Sequence, residues 1–384
     1  MRKFISVAAL AVLTLASCNN AEFKVKDNIV YFDVAASGAK SAQISTNAGK
    51  VETSMLVRIA DKVETDVTVE IGFDKTMVEE FNKVNGTDYV PLPDDIYPEN
   101  PVIVIPAGEV GGTLNLNIDN IPSDGATYAL PVKIVGCSSA EIPISKVQGK
   151  FIFILTSPLF TNVPTMKPTQ ADDKISALPE GDWGVTAENW TLEFWVKMDG
   201  YYINNQALFD SGNSSKGCEL YVRFGDANYP YNYLQAKIAG NNDISTARDW
   251  EANKWYHVAI VCSKDDQTVR IYRDCAVVAE GGVTYPSDGL FKIDKLFMIS
   301  SGTSYFKNNC SMGQVKFWKV ARTVQELKDN MYFSANPKNP NLIAYWPMNE
   351  GSGSTFADVT GNGHDASGPI SIVSQWLNNI DFKN

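Results

Sequence analysis

Leu342-Ile-Ala-Tyr-Trp-Pro-Met-Asn-Glu-Gly-Ser-Gly-Ser-Thr-Phe-Ala-Asp-Val-Thr-Gly-Asn-Gly-His-Asp-Ala-Ser367 decides how this chain is read. It predicts a strand, a Gly/Ser turn, a short apolar segment and a Gly-Asn-Gly loop. Three earlier segments belong with it: Trp190-Thr-Leu-Glu-Phe-Trp-Val-Lys197, Lys254-Trp-Tyr-His-Val-Ala259, and Gly313-Gln-Val-Lys-Phe-Trp318 followed by Arg322-Thr-Val-Gln-Glu-Leu327. In the first, Trp190, Leu192, Phe194 and Val196 alternate with Thr191, Glu193 and Trp195, the period of a strand with one face inward. His257 falls on the same side of its strand as Trp255, Ala259 and Val261. Lys264-Asp-Asp-Gln267 predicts a hairpin turn into Thr268–Tyr272.

In this order the four segments resemble the laminin-G-like, concanavalin-A-like jelly-roll family across residues 171–384. The resemblance implies two antiparallel sheets packed face to face. It implies little about activity, because the fold hosts lectins, hydrolases and adhesion modules alike.

The N-terminus sets an expected compartment. Arg2 and Lys3 precede an apolar run from Phe4 to Leu15, and Leu15-Ala-Ser-Cys18 follows as a small-residue cleavage site. The run is too short to span a bilayer, and the site resembles the bacterial lipobox. Residues 1–17 are therefore expected to be a lipoprotein signal peptide and Cys18 the lipidated first residue. The expected location is the outer membrane, lipid-anchored and facing the cell surface. Without residues 1–17 the chain keeps 31 basic against 44 acidic residues. That balance does not suit nucleic acid or an anionic lipid surface. The other five cysteines form no Cys-x-x-Cys pair, and a chain of this length can bury a core without disulfides.

All eight tryptophans lie between Trp183 and Trp376. The tryptophan-free part predicts strands at Ile29–Val34, Met55–Ile59, Thr65–Asp74, Val102–Ile105, Thr113–Ile118, Ala129–Val135 and Lys150–Leu155. A helix is expected at Lys75–Val84, with Met77, Phe81 and Val84 on one face. This suggests an immunoglobulin-like β-sandwich over residues 22–156, a Pro/Thr-rich linker over 157–170 and the jelly roll from 171 onward. The whole chain is expected to be all-β. The spaced motifs Val78-Glu-Glu-Phe-Asn82, Asn85-Gly-Thr-Asp-Tyr89, Ile105-Pro-Ala-Gly108 and Tyr128-Ala-Leu-Pro-Val132 resemble the N-terminal sandwich of Bacteroidetes-type surface lipoproteins. The same type of domain precedes some family-18 endo-β-N-acetylglucosaminidases.

The residues offer little for catalysis. A jelly-roll glycanase needs two facing carboxylates, often at alternate positions of one strand, and residues 171–384 contain no such strand. Asp66, Glu70 and Asp74 alternate, but read most simply as a solvated strand face. There is no Gly-x-Ser-x-Gly elbow and no phosphate-binding loop. The two histidines, His257 and His364, make a histidine metal site improbable. No cofactor is expected, with one alternative. Asp358, Asn362 and Asp365 crowd one Gly-rich loop, and relatives on this fold often hold a structural Ca²⁺ through oxygens. A turn tied by Asx side chains explains them more simply, and Gln314-Val-Lys316 replaces an acidic pair of those relatives, which weakens the calcium argument for that strand.

The positive feature is aromatic. Tyr229-Pro-Tyr-Asn-Tyr233, Asp199-Gly-Tyr-Tyr-Ile-Asn-Asn205 and Thr246-Ala-Arg-Asp-Trp250 put rings beside amides and charges in turn-rich stretches. A pyranose stacks its CH face on a ring while polar groups take its hydroxyls. Tyr201, Tyr202, Asn204, Tyr229, Tyr231, Tyr233 and Trp250 are therefore the glycan-binding candidates. The expected function is non-catalytic capture of a glycan or glycoprotein, host N-glycans among them, alongside an outer-membrane importer and a hydrolase. A protein-binding or adhesion module is one alternative, and a hydrolase with a dispersed carboxylate pair is another.

Overall fold

The computed structural model describes residues 28–383 apart from 39–40, 46–48, 86, 123–125, 157–158, 178–184, 214–218, 240–241 and 294. The expected signal peptide, Cys18, Trp183 and Cys218 lie outside the described residues. Among the described residues no helix is long and apolar enough to cross a membrane.

The N-terminal domain is a two-sheet sandwich. Val30–Phe32, Val51–Ile59 and Gly111–Ile118 form a three-stranded antiparallel sheet. Facing it, Ser41–Ser45, Lys150–Thr156, Tyr128–Cys137, Val67–Gly72 and Val102–Ile105 lie side by side, with Val90–Pro91 added on Tyr128–Ala129. The alternation explains the packing: Val67, Val69 and Ile71 join Leu114, Leu116 and Ile118 in one core, while Glu70, Asn115 and Asn117 face water. The helix Thr76–Asn85 sits on the outside of the larger sheet, where Met77 and Val78 pack on Ala129, Ile152 and Ile154. Its buried face is thus Met77, Val78 and Phe81. Val84, expected on that face, is 83% exposed.

The jelly roll begins earlier than expected. Phe160–Met166, assigned to the linker in sequence, is a strand paired with Val373–Asp381 on one side and Cys310–Trp318 on the other. It belongs to an eight-stranded sheet that also holds Trp190–Met198, Tyr256–Ser263, Thr268–Arg273, Ala276–Gly282 and Leu342–Trp346. The opposing eight-stranded sheet runs, in spatial order, Asn242–Ser245, Leu234–Ile238, Leu220–Phe224, Gln206–Asp210, Leu296–Met298, Ile175–Ala177, Ala366–Ser367 and Thr355–Phe356. Trp190, Leu192, Phe194 and Val196 fill the space between the sheets, as the alternation predicted.

The outward side of the first sheet is also buried. Glu193, Trp195, His257 and Lys316 lie at 2% exposure or less, beneath the segment carrying the helix Val324–Asn330. That helix starts in a capping box between Thr323 and Glu326, which satisfies donors that a helix end would leave unpaired. Leu327 presses on Ala259 and Val261, and Trp195 Nε1 donates to the Met331 carbonyl at 2.9 Å. The cover stops short of the sheet's other end, where Thr165, Lys197, Ser311 and Gln375 line an open hollow on the same outward side. The described cysteines Cys137, Cys262, Cys275 and Cys310 are free, and Cys262 is the small buried residue its strand position predicted.

Candidate functional site

The three aromatic loops converge. Asn205 N–H donates to the Gly225 carbonyl at 2.9 Å, and Gly225 N–H to the Tyr233 carbonyl at 3.0 Å. Gly225 has φ +70°, and a Cβ there would stand 2.7 Å from Tyr231 Cβ and 3.1 Å from Asn204 Cα. Glycine alone allows both that backbone and that approach. The third loop joins through Asn232, whose Nδ2 donates to the Arg248 and Trp250 carbonyls at 3.2 Å. Arg248 lies 4.8 Å over the Tyr233 ring, and its Nη1 donates to the Tyr229 carbonyl at 3.2 Å.

Within this cluster the seven candidates separate. Tyr202 and Tyr229 are each 76% exposed. Tyr231 is half-buried and meets Tyr229 edge-on at 5.6 Å, and Asn204 is half-buried beside Gly225. Tyr201 is also half-buried: its ring packs on Phe224 at 4.9 Å, and burial pushes its phenol well above the usual range. Two candidates are corrected. Trp250 is 2% exposed, packed against Phe224 and Tyr256, with Nε1 donating to Thr246 Oγ1 at 2.8 Å. Tyr233 is 6% exposed, and its hydroxyl accepts from Asp226 N–H at 2.8 Å. Both rings hold the loops together and offer no face to a ligand.

Sequence reasoning missed the polar groups beneath the loops. Arg223 donates through Nε and Nη2 to Gln235 Oε1 at 2.9 and 2.6 Å, and through Nη1 to Asn205 Oδ1 at 2.8 Å. Its Nη2 is 2.8 Å from Asp226 Oδ2. Tyr221 adds a hydroxyl bond to Asn205 Oδ1 at 2.7 Å. The signal was present in Leu220-Tyr-Val-Arg-Phe224, where period-two alternation sends Tyr221 and Arg223 away from the core. Burial works to raise the Asp226 carboxyl, but the Ala227 N–H and the Arg223 charge outweigh it and hold it low. Asp249 is also held low, chiefly by its bonds to Arg273. A general acid needs the opposite displacement.

The Gly-Asn-Gly loop does not fit calcium. Asp358 Oδ1 accepts from Tyr345 N–H, Thr360 N–H and Thr360 Oγ1, and Oδ2 from His364 N–H. Asp365 Oδ1 accepts from Asp358 N–H, and Asn362 turns its amide donor to the Leu342 and Ile343 carbonyls. These oxygens close a turn and do not converge on a cation. Among the described residues no group of three or more His, Cys, Asp or Glu side chains could hold a metal ion.

Comparison with known proteins agrees with this architecture. Residues 25–141 match a family described as an N-terminal domain, and residues 169–328 match the concanavalin A-like lectin/glucanases superfamily in its laminin-G-like branch. No curated protein matches the sequence. Among solved structures, a candidate carbohydrate-binding protein from Bacteroides ovatus ATCC 8483 is similar over 92% of this chain and 100% of its own, at 18% identity and TM-score 0.56. A heptameric SAP-like pentraxin from Limulus polyphemus covers 44% of this chain and 80% of its own, at 14% identity and TM-score 0.34. EndoBT-3987 of Bacteroides thetaiotamicron, solved with a Man5GlcNAc product, covers 33% of this chain and 30% of its own, at 18% identity and TM-score 0.27. The two matches fall in chain order on the two domains seen in the structure: the N-terminal model on the sandwich, and the laminin-G-like, concanavalin A-like model on the jelly roll.

Proposed function

We propose that the protein binds glycans or glycoproteins without catalysis, through the loop cluster of its jelly roll. The observation that carries this reading is the convergence of three loops that leaves Tyr229 exposed against Tyr231, with Tyr202 exposed on the first of those loops and the Arg223–Asp226–Gln235 network bonded to Asn205 of the same loop. Exposed rings supply stacking platforms, and amides with a paired charge supply hydroxyl partners. Asp226 and Asp249 are tied to arginines and held low, so neither is displaced in the direction a general acid needs. The carbohydrate-binding description of the Bacteroides ovatus protein with the same architecture supports the same reading. In this proposal Cys18 anchors the protein at the outer membrane, facing outward, and captured glycan passes to an importer and hydrolase of the same system. Host N-glycans are the proposed target class.

A glycan array on the chain from residue 18 onward tests the reading. Binding to sugars supports it. Binding only to glycan-free protein would replace it with an adhesion role, and release of product from a polysaccharide would replace it with hydrolysis.

A further inference from the structure

The strand Trp190–Met198 sends Glu193, Trp195 and Lys197 to the outward side of the first sheet, and they end differently. Glu193 and Trp195 are buried, with the Phe382 ring stacked on Trp195 at 4.7 Å. One alternation further on, Lys197 is only half-buried and opens on a hollow of about 400 Å³. Register builds its base. Lys197 pairs with Ser311, Ser311 with Thr165, and Thr165 with Gln375. That row spans three strand spacings, about 14 Å. Leu377, Asp199, Asn253 and Asn309 complete the walls.

The hollow holds a cation without its anion. Lys197 has no ion-pair partner among the described residues, and burial lowers its ammonium with no charge acting the other way. Its Nζ lies 4.8 Å from the centre of the Trp255 ring. A half-buried ammonium without a counter-charge is costly, and an indole face offsets only part of that cost. The one carboxylate in the walls is turned elsewhere. Asp199 Oδ1 accepts from Asn308 Nδ2 at 2.7 Å and Asn309 N–H at 2.9 Å, and Oδ2 accepts from Asn309 Nδ2 at 2.6 Å. The rest of the base is neutral and suited to hydroxyls. Thr165 Oγ1 and Ser311 Oγ share one bond at 2.8 Å, so one of the two keeps a proton to donate. The exposed Gln375 amide offers a donor and an acceptor on the same row.

We propose that this hollow is a binding site for a carboxylate flanked by hydroxyls. The carboxylate sits on Lys197 in a charge-assisted bond, and the hydroxyls reach the Thr165–Ser311 pair and Gln375. The volume is in the range of small-ligand sites. Two sources share this chemistry, a sugar acid and a free hydroxy acid. The proposal does not rest on the glycan-binding reading above, because it uses none of the rings of the loop cluster.

The test is calorimetric titration of the chain from residue 18 onward. The probes are galacturonate and glucuronate as sugar acids, and gluconate, malate and lactate as hydroxy acids. Acetate, sulfate and inorganic phosphate are the simple anions, and galactose and glucose the neutral controls. At least one hydroxylated carboxylate should bind one to one, at least tenfold tighter than acetate and than the neutral sugars. Preference for the ring acids assigns the site to a sugar acid, and preference for the open-chain acids to a free hydroxy acid. Lys197→Gln should weaken that binding about tenfold or more, and Lys197→Arg should restore part of it. Gln375→Ala should weaken the hydroxylated acid and leave acetate unchanged. Melting curves of the three variants should match the unmodified protein, since neither side chain belongs to the core. Lys197→Gln should also leave binding of neutral glycans unchanged, so failure of the loop site and failure of this site are read separately. Sulfate or phosphate binding as tightly as the best acid would mean an adventitious ion only and overturn the proposal. So would a folded Lys197→Gln protein with undiminished affinity, or no binding of any hydroxylated acid.

Discussion

Replacing Arg322 with methionine isolates the buried charges that hold the closed side of the jelly roll. Glu193 is 1% exposed, with Arg322 Nε at 3.2 Å and His257 Nε2 at 3.5 Å. Neither of its oxygens makes a well-formed hydrogen bond, so proximity of charge does most of the holding. Burial drives the carboxyl upward, but Arg322, His257 and Lys316 overcome it and bring it from 4.5 to about 2. That displacement corresponds to about 3 kcal/mol favouring the ionised form. Arg322→Met removes the charge, and with it the guanidinium that lies 4.1 Å over the Trp318 ring, while keeping an unbranched side chain of similar length. The expected loss is about 3 to 5 kcal/mol, the range for breaking a buried pair from one side. Urea unfolding followed by tryptophan fluorescence reads the correct domain, because all eight tryptophans lie from Trp183 onward. The sign with pH follows from a lowered carboxyl. Its contribution is complete above about 4.5 and disappears as pH falls through about 2, so the gap between the two proteins should close on acidification. A variant as stable as the original at neutral pH, or a gap unchanged near pH 2, would refute the reasoning.

Other expectations follow from neighbouring observations. Burial lowers Lys316 to about 8 from 10.5, so the jelly roll should gain stability as pH rises from 8 to about 10.5, where the unfolded chain also loses its proton. Trp250→Ala should destabilise the jelly roll by about 3 to 5 kcal/mol in the same unfolding assay, whereas Tyr229→Ala should stay within about 0.5 kcal/mol. Asp358→Ala should lower stability by roughly 1 to 3 kcal/mol by orphaning buried donors, and neither calcium nor chelator should shift the melting temperature of the original protein. A rise with calcium would restore the cation reading. Cys18→Ala should release the protein from the membrane fraction or leave its leader uncleaved, and a variant that fractionates unchanged would remove the lipid anchor.

Much of the fold was legible because burial on one face leaves period-two patterns. Val67, Val69 and Ile71, and Trp190, Leu192, Phe194 and Val196, went where their alternation sent them. Phe160–Met166 was missed because Pro164 and its threonines read as a connector. The strand tolerates them at a place where its pairing with Val373–Asp381 is already irregular. The second buried layer at Glu193, His257 and Lys316 was hidden for another reason: charged residues on alternate positions look solvated until something distant in sequence covers them. In the loops, composition showed that rings were present but not which way they turned. Tyr229 and Tyr233 belong to one Tyr-x-Tyr-x-Tyr run, yet only Tyr233 is tied inward through the Asp226 N–H. The Asp358 loop was legible as a turn, and the hydrogen bonds on Asp358, Asn362 and Asp365 are those of a turn closed by its own side chains.

The central claim is that exposed rings of the loop cluster bind sugar. Its most direct test is titration of an array-identified glycan against the unmodified protein and against Tyr202→Ala and Tyr229→Ala, with Trp250→Phe as a core control. Each exposed-ring variant should remain folded and lose roughly 1 to 2 kcal/mol of binding free energy, while the control should bind normally. Two folded variants with undiminished affinity would contradict the account.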